Sequence, residues 1–159
     1  MSPVTEADVS AAKRTALRCL ERRAFAREDL ARRLRRKGHL PDAVEEALDR
    51  VAELGLLDDA EFTANFVRNK AARGRGPSRL RRDLQVMGVA SAVIEQALAA
   101  HWPEGSDARE TIQSLARRRV AQLGGGLPRQ TRRRRLLAYL ARRGFQGPVA
   151  REVVRTLIA

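Results

Sequence analysis

The sequence predicts an all-α protein made of three tandem three-helix repeats. Three observations carry this prediction. Hydrophobic residues make up 43% of the chain but aromatics only 4%, and the Leu, Ala and Val that remain favour helix packing over an aromatic-rich sheet. A shift of 50 positions superposes Leu30, Leu34, Gly38, Val44, Ala47 and Leu48 on Leu80, Leu84, Gly88, Ile94, Ala97 and Leu98 without a gap. Internal periods of this size mark stacked modules. A third copy is anchored at Gly144, with Leu136 and Leu140 placed before it as Leu30 and Leu34 are before Gly38 and a more degenerate second half around Ala150, Val153 and Val154.

Each copy reads in the same order. A first helix is expected over Ala11 to Arg23, Asp59 to Arg73 and Asp107 to Leu123. Asp58-Asp59-Ala60-Glu61 and Asp107-Ala108-Arg109-Glu110 have the layout of a capped helix start. A second helix carries its two leucines at i and i+4, and the glycine beyond them supplies the left-handed turn that ends it. A third, amphipathic helix follows; in the first copy Pro41 opens it, at a position where the missing N–H has no intrahelical partner to lose. Gly74, Gly76 and Pro77 break the chain inside the second repeat, and Gly124-Gly125-Gly126-Leu127-Pro128 inside the third. Trp102-Pro103-Glu104-Gly105 reads as the junction between repeats two and three. The expected organisation is a flexible segment at 1–10, then repeats at 11–55, 56–102 and 103–159, in an elongated molecule whose modules pack mainly on their neighbours.

The core candidates on these stripes are Leu17, Leu20, Leu30, Leu34, Val44, Leu48, Val51, Leu54, Phe62, Phe66, Leu80, Leu84, Met87, Ile94, Leu98, Ile112, Leu115, Leu136, Leu140 and Leu157. Cys19, the single cysteine, has no second thiol to pair with and reads as core packing in a reducing, cytoplasmic setting. Neither a signal peptide nor a membrane span is legible. His39 and His101 are isolated and lack the companions that zinc ligation or a nucleophile and base would need. Asp58 and Asp59 are explained by capping, and the glycine clusters lack the Lys-Ser/Thr of a phosphate-binding loop. The reading is therefore of a non-enzyme with no catalytic residue, metal or cofactor.

Charge is where the sequence is informative. Lys and Arg number 32 against 19 Asp and Glu, a net charge of +13, which points to an anionic partner. Between Thr111 and Arg151 there is no acid but there are 11 arginines, and Phe62 to Arg82 is also free of acids. From these stretches the partner-binding candidates are Arg68, Lys70, Arg73, Arg75, Arg79, Arg82, Arg117, Arg118, Arg132, Arg134, Arg135 and Arg142. On a helical wheel Arg79 and Arg82 project away from the Leu80 and Leu84 stripe, and Arg134, Arg135 and Arg142 away from Leu136 and Leu140, so each is expected free to meet phosphates.

The run Gly55-Leu56-Leu57-Asp58-Asp59-Ala60-Glu61-Phe62, continuing through Arg73-Gly74-Arg75-Gly76-Pro77 to Leu80, Asp83, Leu84 and Gly88, resembles the hallmark middle repeat of the RecX family. Repeat one is similar through Ala16-Leu17, Leu20, Glu28-Asp29-Leu30, Leu34 and Lys37-Gly38. The chain departs at Thr63, Leu80 and Asp83, where the family has alanine, isoleucine and glutamate, and at Ala26, where a serine N-cap is common. Losing that cap costs about 0.5 to 2 kcal/mol unless a neighbour compensates. The resemblance implies a curved monomer of three repeats that lies along the groove of a RecA filament. It also implies that the chain suppresses RecA ATPase, strand exchange and co-protease activity in recombination and DNA repair, with weaker contact to single- or double-stranded DNA. Two other readings stand beside it: a sequence-specific helix-turn-helix protein entering DNA with Pro41 to Arg50 or Ala90 to Ala100, and a non-specific nucleic-acid binder.

Overall fold

The computed structural model describes residues 2–104 and 106–159. Met1, the first residue of the expected lead-in, and Gly105, the last of the expected junction between repeats two and three, lie outside the described residues. Among the described residues there are nine helices and no strand. In chain order they are α1 (Glu6–Arg22), α2 (Arg27–Arg36), α3 (Pro41–Glu53), α4 (Asp59–Ala72), α5 (Pro77–Val86), α6 (Ser91–His101), α7 (Arg109–Gln122), α8 (Arg129–Arg143) and α9 (Pro148–Leu157). They form three three-helix repeats. Packing gathers the chain into two compact units, one of Met1–Asn65 with Leu84–Ile94, the other of Phe66–Asp83 with Glu95–Ala159.

In the first unit α1 lies chiefly against α3. Leu30 and Leu34 of α2 meet Val44, Leu48 and Val51 of α3 and Ala16 and Cys19 of α1 in one apolar cluster, which Phe25 and Leu57 from the loops complete. Burying each large apolar side chain stabilises by roughly 1.5 to 3 kcal/mol. Helix α1 begins earlier than Ala11. Thr5 Oγ1 accepts the Asp8 N–H and Asp8 Oδ2 accepts the Thr5 N–H, a reciprocal cap that satisfies two orphan donors. The resulting turn of residues 6–10, expected as flexible, packs Val9 against Ala12, Ala43 and Ala47.

The start of α2 has no cap from Ala26. Asp59 compensates: its Oδ1 accepts the Arg27 N–H at 2.8 Å. Asp58 meanwhile caps its own helix, accepting the Glu61 N–H at 3.1 Å.

In the second unit Ile112, Leu115 and Ala116 of α7, Leu136 and Leu140 of α8, and Ala150, Val153 and Val154 of α9 share a core with Phe145 and Ile158. Asp107 does not cap α7 in the expected way. Its Oδ1 accepts the N–H of Arg109, only two residues on, and the cap position falls to Ala108 in a left-handed conformation, φ 51°. Leu54, expected in the core, is 58% exposed because α3 ends at Glu53 and the stripe ends with it.

Candidate polyanion-binding surface

The second unit brings the start of α5 against the end of α8 through two glycines. Gly144 takes φ 96° to close α8. Its carbonyl accepts the Ser78 Oγ–H at 3.0 Å, and the Arg143 carbonyl accepts the Gly76 N–H at 2.6 Å. The last carbonyls of α8, which have no partner inside their own helix, are thus satisfied by the turn that opens α5. A Cβ on Gly76 would collide with the Gly144 carbonyl oxygen, so backbone meets backbone here.

This packing builds a cleft of about 310 Å³ lined by Arg75, Arg79, Tyr139, Arg142 and Arg143. Two cations hold its ring in place: Arg143 lies over Tyr139 at 5.5 Å and Arg119 at 5.3 Å, both within cation–π range. Arg143 also donates to the Arg73 carbonyl at 3.3 Å. A neighbouring cleft of about 440 Å³ includes Arg73, Arg118, Ser114 and Glu110, and a third, of about 630 Å³, includes Arg133, Arg134 and Thr131. Of the sequence candidates, Arg73, Arg75, Arg79, Arg118, Arg134 and Arg142 line these clefts. Arg68, Lys70, Arg82, Arg117, Arg132 and Arg135 line none of the three.

Their electrostatic states differ. Arg79 is not free as its helical wheel predicts: it pairs with Asp83 at 3.2 Å and donates to the Arg142 carbonyl at 3.3 Å. Asp83, just past the acid-free stretch, also takes Arg75 at 2.9 Å. Its i+4 spacing from Arg79 returns it over the first turn of α5. Arg81 is likewise neutralised by Glu95, whose carboxyl is held below the usual range by the Arg81 hydrogen bonds. In contrast, among the described residues no carboxylate lies within ion-pair distance of Arg82, Arg117, Arg118, Arg134, Arg135 or Arg142, and all six are exposed. Leu136 and Leu140 beneath them are fully buried. Lys70 is half-buried over the Phe66 ring at 5.7 Å. Arg132 is half-buried with its Nε enclosed, and its neighbour Arg133 donates to the Ile158 carbonyl at 3.0 Å.

Sequence reasoning did not select Arg119, Tyr139 or Arg143. The i,i+4 spacing of Tyr139 and Arg143 is a readable signal; the approach of Arg119 is tertiary. Helix α3, one of the two helices a groove-reading protein would insert, commits Glu45, Glu46 and Asp49 to ion pairs with Arg27, Arg35 and Arg50, so its polar face offers phosphates little.

Comparison with known proteins agrees with this architecture. Models of the first, second and third RecX three-helix domains match residues 12–50, 58–98 and 107–154. The chain belongs to the RecX family. A curated relative from Xanthomonas axonopodis pv. citri named Regulatory protein RecX is 42% identical over 141 residues, covering 88% of this chain and 83% of the relative. One of the same name from Pseudomonas putida is 40% identical over 146 residues, covering 91% and 89%. Crystal structures share the fold at 20% identity. RecX from Lactobacillus salivarius superposes with a TM-score of 0.79 over 96% of this chain and 98% of that one. Another, titled regulatory protein RecX, superposes at 0.77 over 98% and 78%. Among the described residues no helix is long and apolar enough to cross a membrane.

Proposed function

We propose that this RecX-family chain binds the RecA filament on DNA and inhibits RecA ATPase, strand exchange and co-protease activity. The supporting observation is the exposed, acid-free set Arg117, Arg118, Arg134, Arg135 and Arg142 of the second unit. Guanidinium groups without internal carboxylates keep their donors for phosphate or carboxylate outside the molecule. RecA as the partner comes from the family resemblance. DNA phosphates within the filament are a supplementary, salt-sensitive contact.

The test is RecA's DNA-dependent ATP hydrolysis with this protein at substoichiometric levels. Inhibition is expected, and added salt should relieve it. The surgical variant is Arg134→Gln with Arg135→Gln, because Arg132 and Arg133 are partly built into the fold. It should weaken inhibition and reduce the salt slope by about one unit for each phosphate that is no longer neutralised. Unchanged hydrolysis at equimolar protein removes RecA as the partner. Full inhibition by the double variant moves the interface off α8.

A further inference from the structure

The first repeat holds a separate basic concavity that no acid-free stretch of sequence marks. One face of α1 and the end of α2 enclose a cleft of about 300 Å³ whose cationic lining is Arg18, Arg22, Arg23, Arg33 and Lys37. Among the described residues no carboxylate lines it. Many of the nearby acids are committed elsewhere: Glu6 and Glu46 to Arg50, Glu45 and Asp49 to Arg27, Glu28 to Arg32 and Arg35. Of the five cations only Arg23 reaches an acid among the described residues, Asp29, at 3.5 Å. Arg33 Nε is buried with no acceptor, and the cleft wall carries the Thr15 hydroxyl, the Cys19 thiol and the ring of Phe25, over which Arg23 lies at 3.5 Å.

Arg18, Arg22, Arg33 and Lys37, converging beside an Arg23 that only Asp29 offsets, repel one another unless an anion enters, and a buried N–H without an acceptor costs about 1 to 3 kcal/mol. We propose that this α1–α2 cleft is a second anion site, for two or three linked phosphates. Its size sits at the small end of ligand pockets, roughly 300 to 1,000 Å³, too small for a protein segment. Several adjacent charges are needed to balance the cations, and phosphate supplies them with acceptor oxygens that the guanidinium forks of Arg18, Arg22 and Arg33 match. The linked phosphates belong either to a free polyphosphate group or to a nucleic-acid backbone. The site shares no residue with the surface of the second unit and does not rest on the RecA reading.

Cys19 makes the test specific, because it is the only cysteine in the chain and lies in the cleft wall. The full chain is alkylated with neutral iodoacetamide in the presence of inorganic tripolyphosphate or a short thymidine oligonucleotide. Tripolyphosphate should slow alkylation. Protection by the oligonucleotide as well assigns the phosphates to a strand, and its absence assigns them to a free polyphosphate. Arg33→Gln should raise the half-protecting concentration by about tenfold or more. Arg22→Gln, at an exposed position that the fold tolerates, should also raise it, while Arg134→Gln with Arg135→Gln leaves it unchanged. No protection by either probe, protection that survives both cleft variants, or protection lost with the α8 pair would overturn the proposal.

Discussion

Replacing Gly144 by alanine tests whether the α5–α8 approach is as close as the backbone indicates. Two costs add. A left-handed φ of 96° penalises any residue with a Cβ by roughly 1 to 2 kcal/mol. The new Cβ would also stand 2.6 Å from Arg79 N and Cβ and 2.7 Å from the Gly76 carbonyl oxygen. These atoms are held by the backbone and cannot swing aside, so an overpacking cost of about 1 to 3 kcal/mol follows. Gly38 provides the control, because its φ is 95° but nothing lies within 4 Å of its Cβ position. Gly38→Ala should therefore lose only the first amount, and Gly144→Ala about 2 to 5 kcal/mol. Urea unfolding followed by far-ultraviolet circular dichroism measures both. The Gly144 variant should also inhibit RecA less on the proposed reading, since the cleft of Arg75, Arg79 and Arg142 depends on the displaced turn. Equal losses for the two variants would refute the close approach.

Other consequences are as direct. Asp59→Ala removes the acceptor of the Arg27 N–H and should cost about 0.5 to 2 kcal/mol, with faster hydrogen exchange at the Arg27 amide; an unprotected amide in the parent would show that the cap is not formed. Leu34→Ala, at a position with no exposed surface, should lose about 2 to 5 kcal/mol in the same urea assay, and a loss under about 1 kcal/mol would contradict its place in the core. Arg50 hydrogen bonds lower the Glu6 pKa from its ordinary 4.5, and Arg109 does the same for Glu152. A carboxyl with a depressed folded-state pKa stabilises above its unfolded value, and that contribution is lost as pH falls through the folded value. The urea midpoint should thus drop between about pH 6 and about pH 3 and drop less in Glu6→Gln; identical pH profiles for parent and variant would dismiss the Arg50 pairing as a source of stability.

Much of the fold was legible because the same two signals recur, a leucine pair at i and i+4 and a glycine one turn later. Leu30, Leu34, Leu80, Leu84, Leu136 and Leu140 are all fully buried. What periodicity did not reach are the apolar residues between helices: Phe25, Leu57, Phe145 and Ile158 are each under 10% exposed but sit outside any stripe. The start of α1 was readable in principle, since Thr5 and Asp8 have capping-box spacing, yet a start with two acids and no apolar core favoured a flexible reading. The site was legible as a charge distribution and less so as a set of free groups. A helical wheel places Arg79 off the apolar face correctly but is blind to Asp83, whose carboxylate closes on Arg75 and Arg79. Looking for acid-free stretches failed in the opposite direction, because acids interleaved with the arginines of repeat one in sequence pair with other residues and do not line the α1–α2 cleft.

The three turn glycines are alike in sequence, with positive φ in all three, but their surroundings are not equal. A Cβ on Gly88 would meet Glu28 of α2 at 2.6 Å, and one on Gly144 would meet Arg79 of α5 at the same distance. In each case the glycine of a later repeat touches the first turn of the second helix in the repeat before it. A Cβ on Gly38 would meet nothing within 4 Å among the described residues. The following residue obeys the same logic: Val89 and Phe145 are buried at 6% and 4% exposure, whereas the first repeat has His39 there, half-exposed and hydrogen-bonded to Thr15 Oγ1 at 2.9 Å. A polar residue suits a position that other helices leave partly uncovered, because an apolar one there would add to an exposed apolar patch. His39→Val should therefore enlarge the apolar surface here: the variant is expected to stay helical but self-associate in sedimentation at raised concentration. A variant that remains as dispersed as the parent would mean that His39 serves the Thr15 hydroxyl and the cleft behind it, not the polarity of this surface.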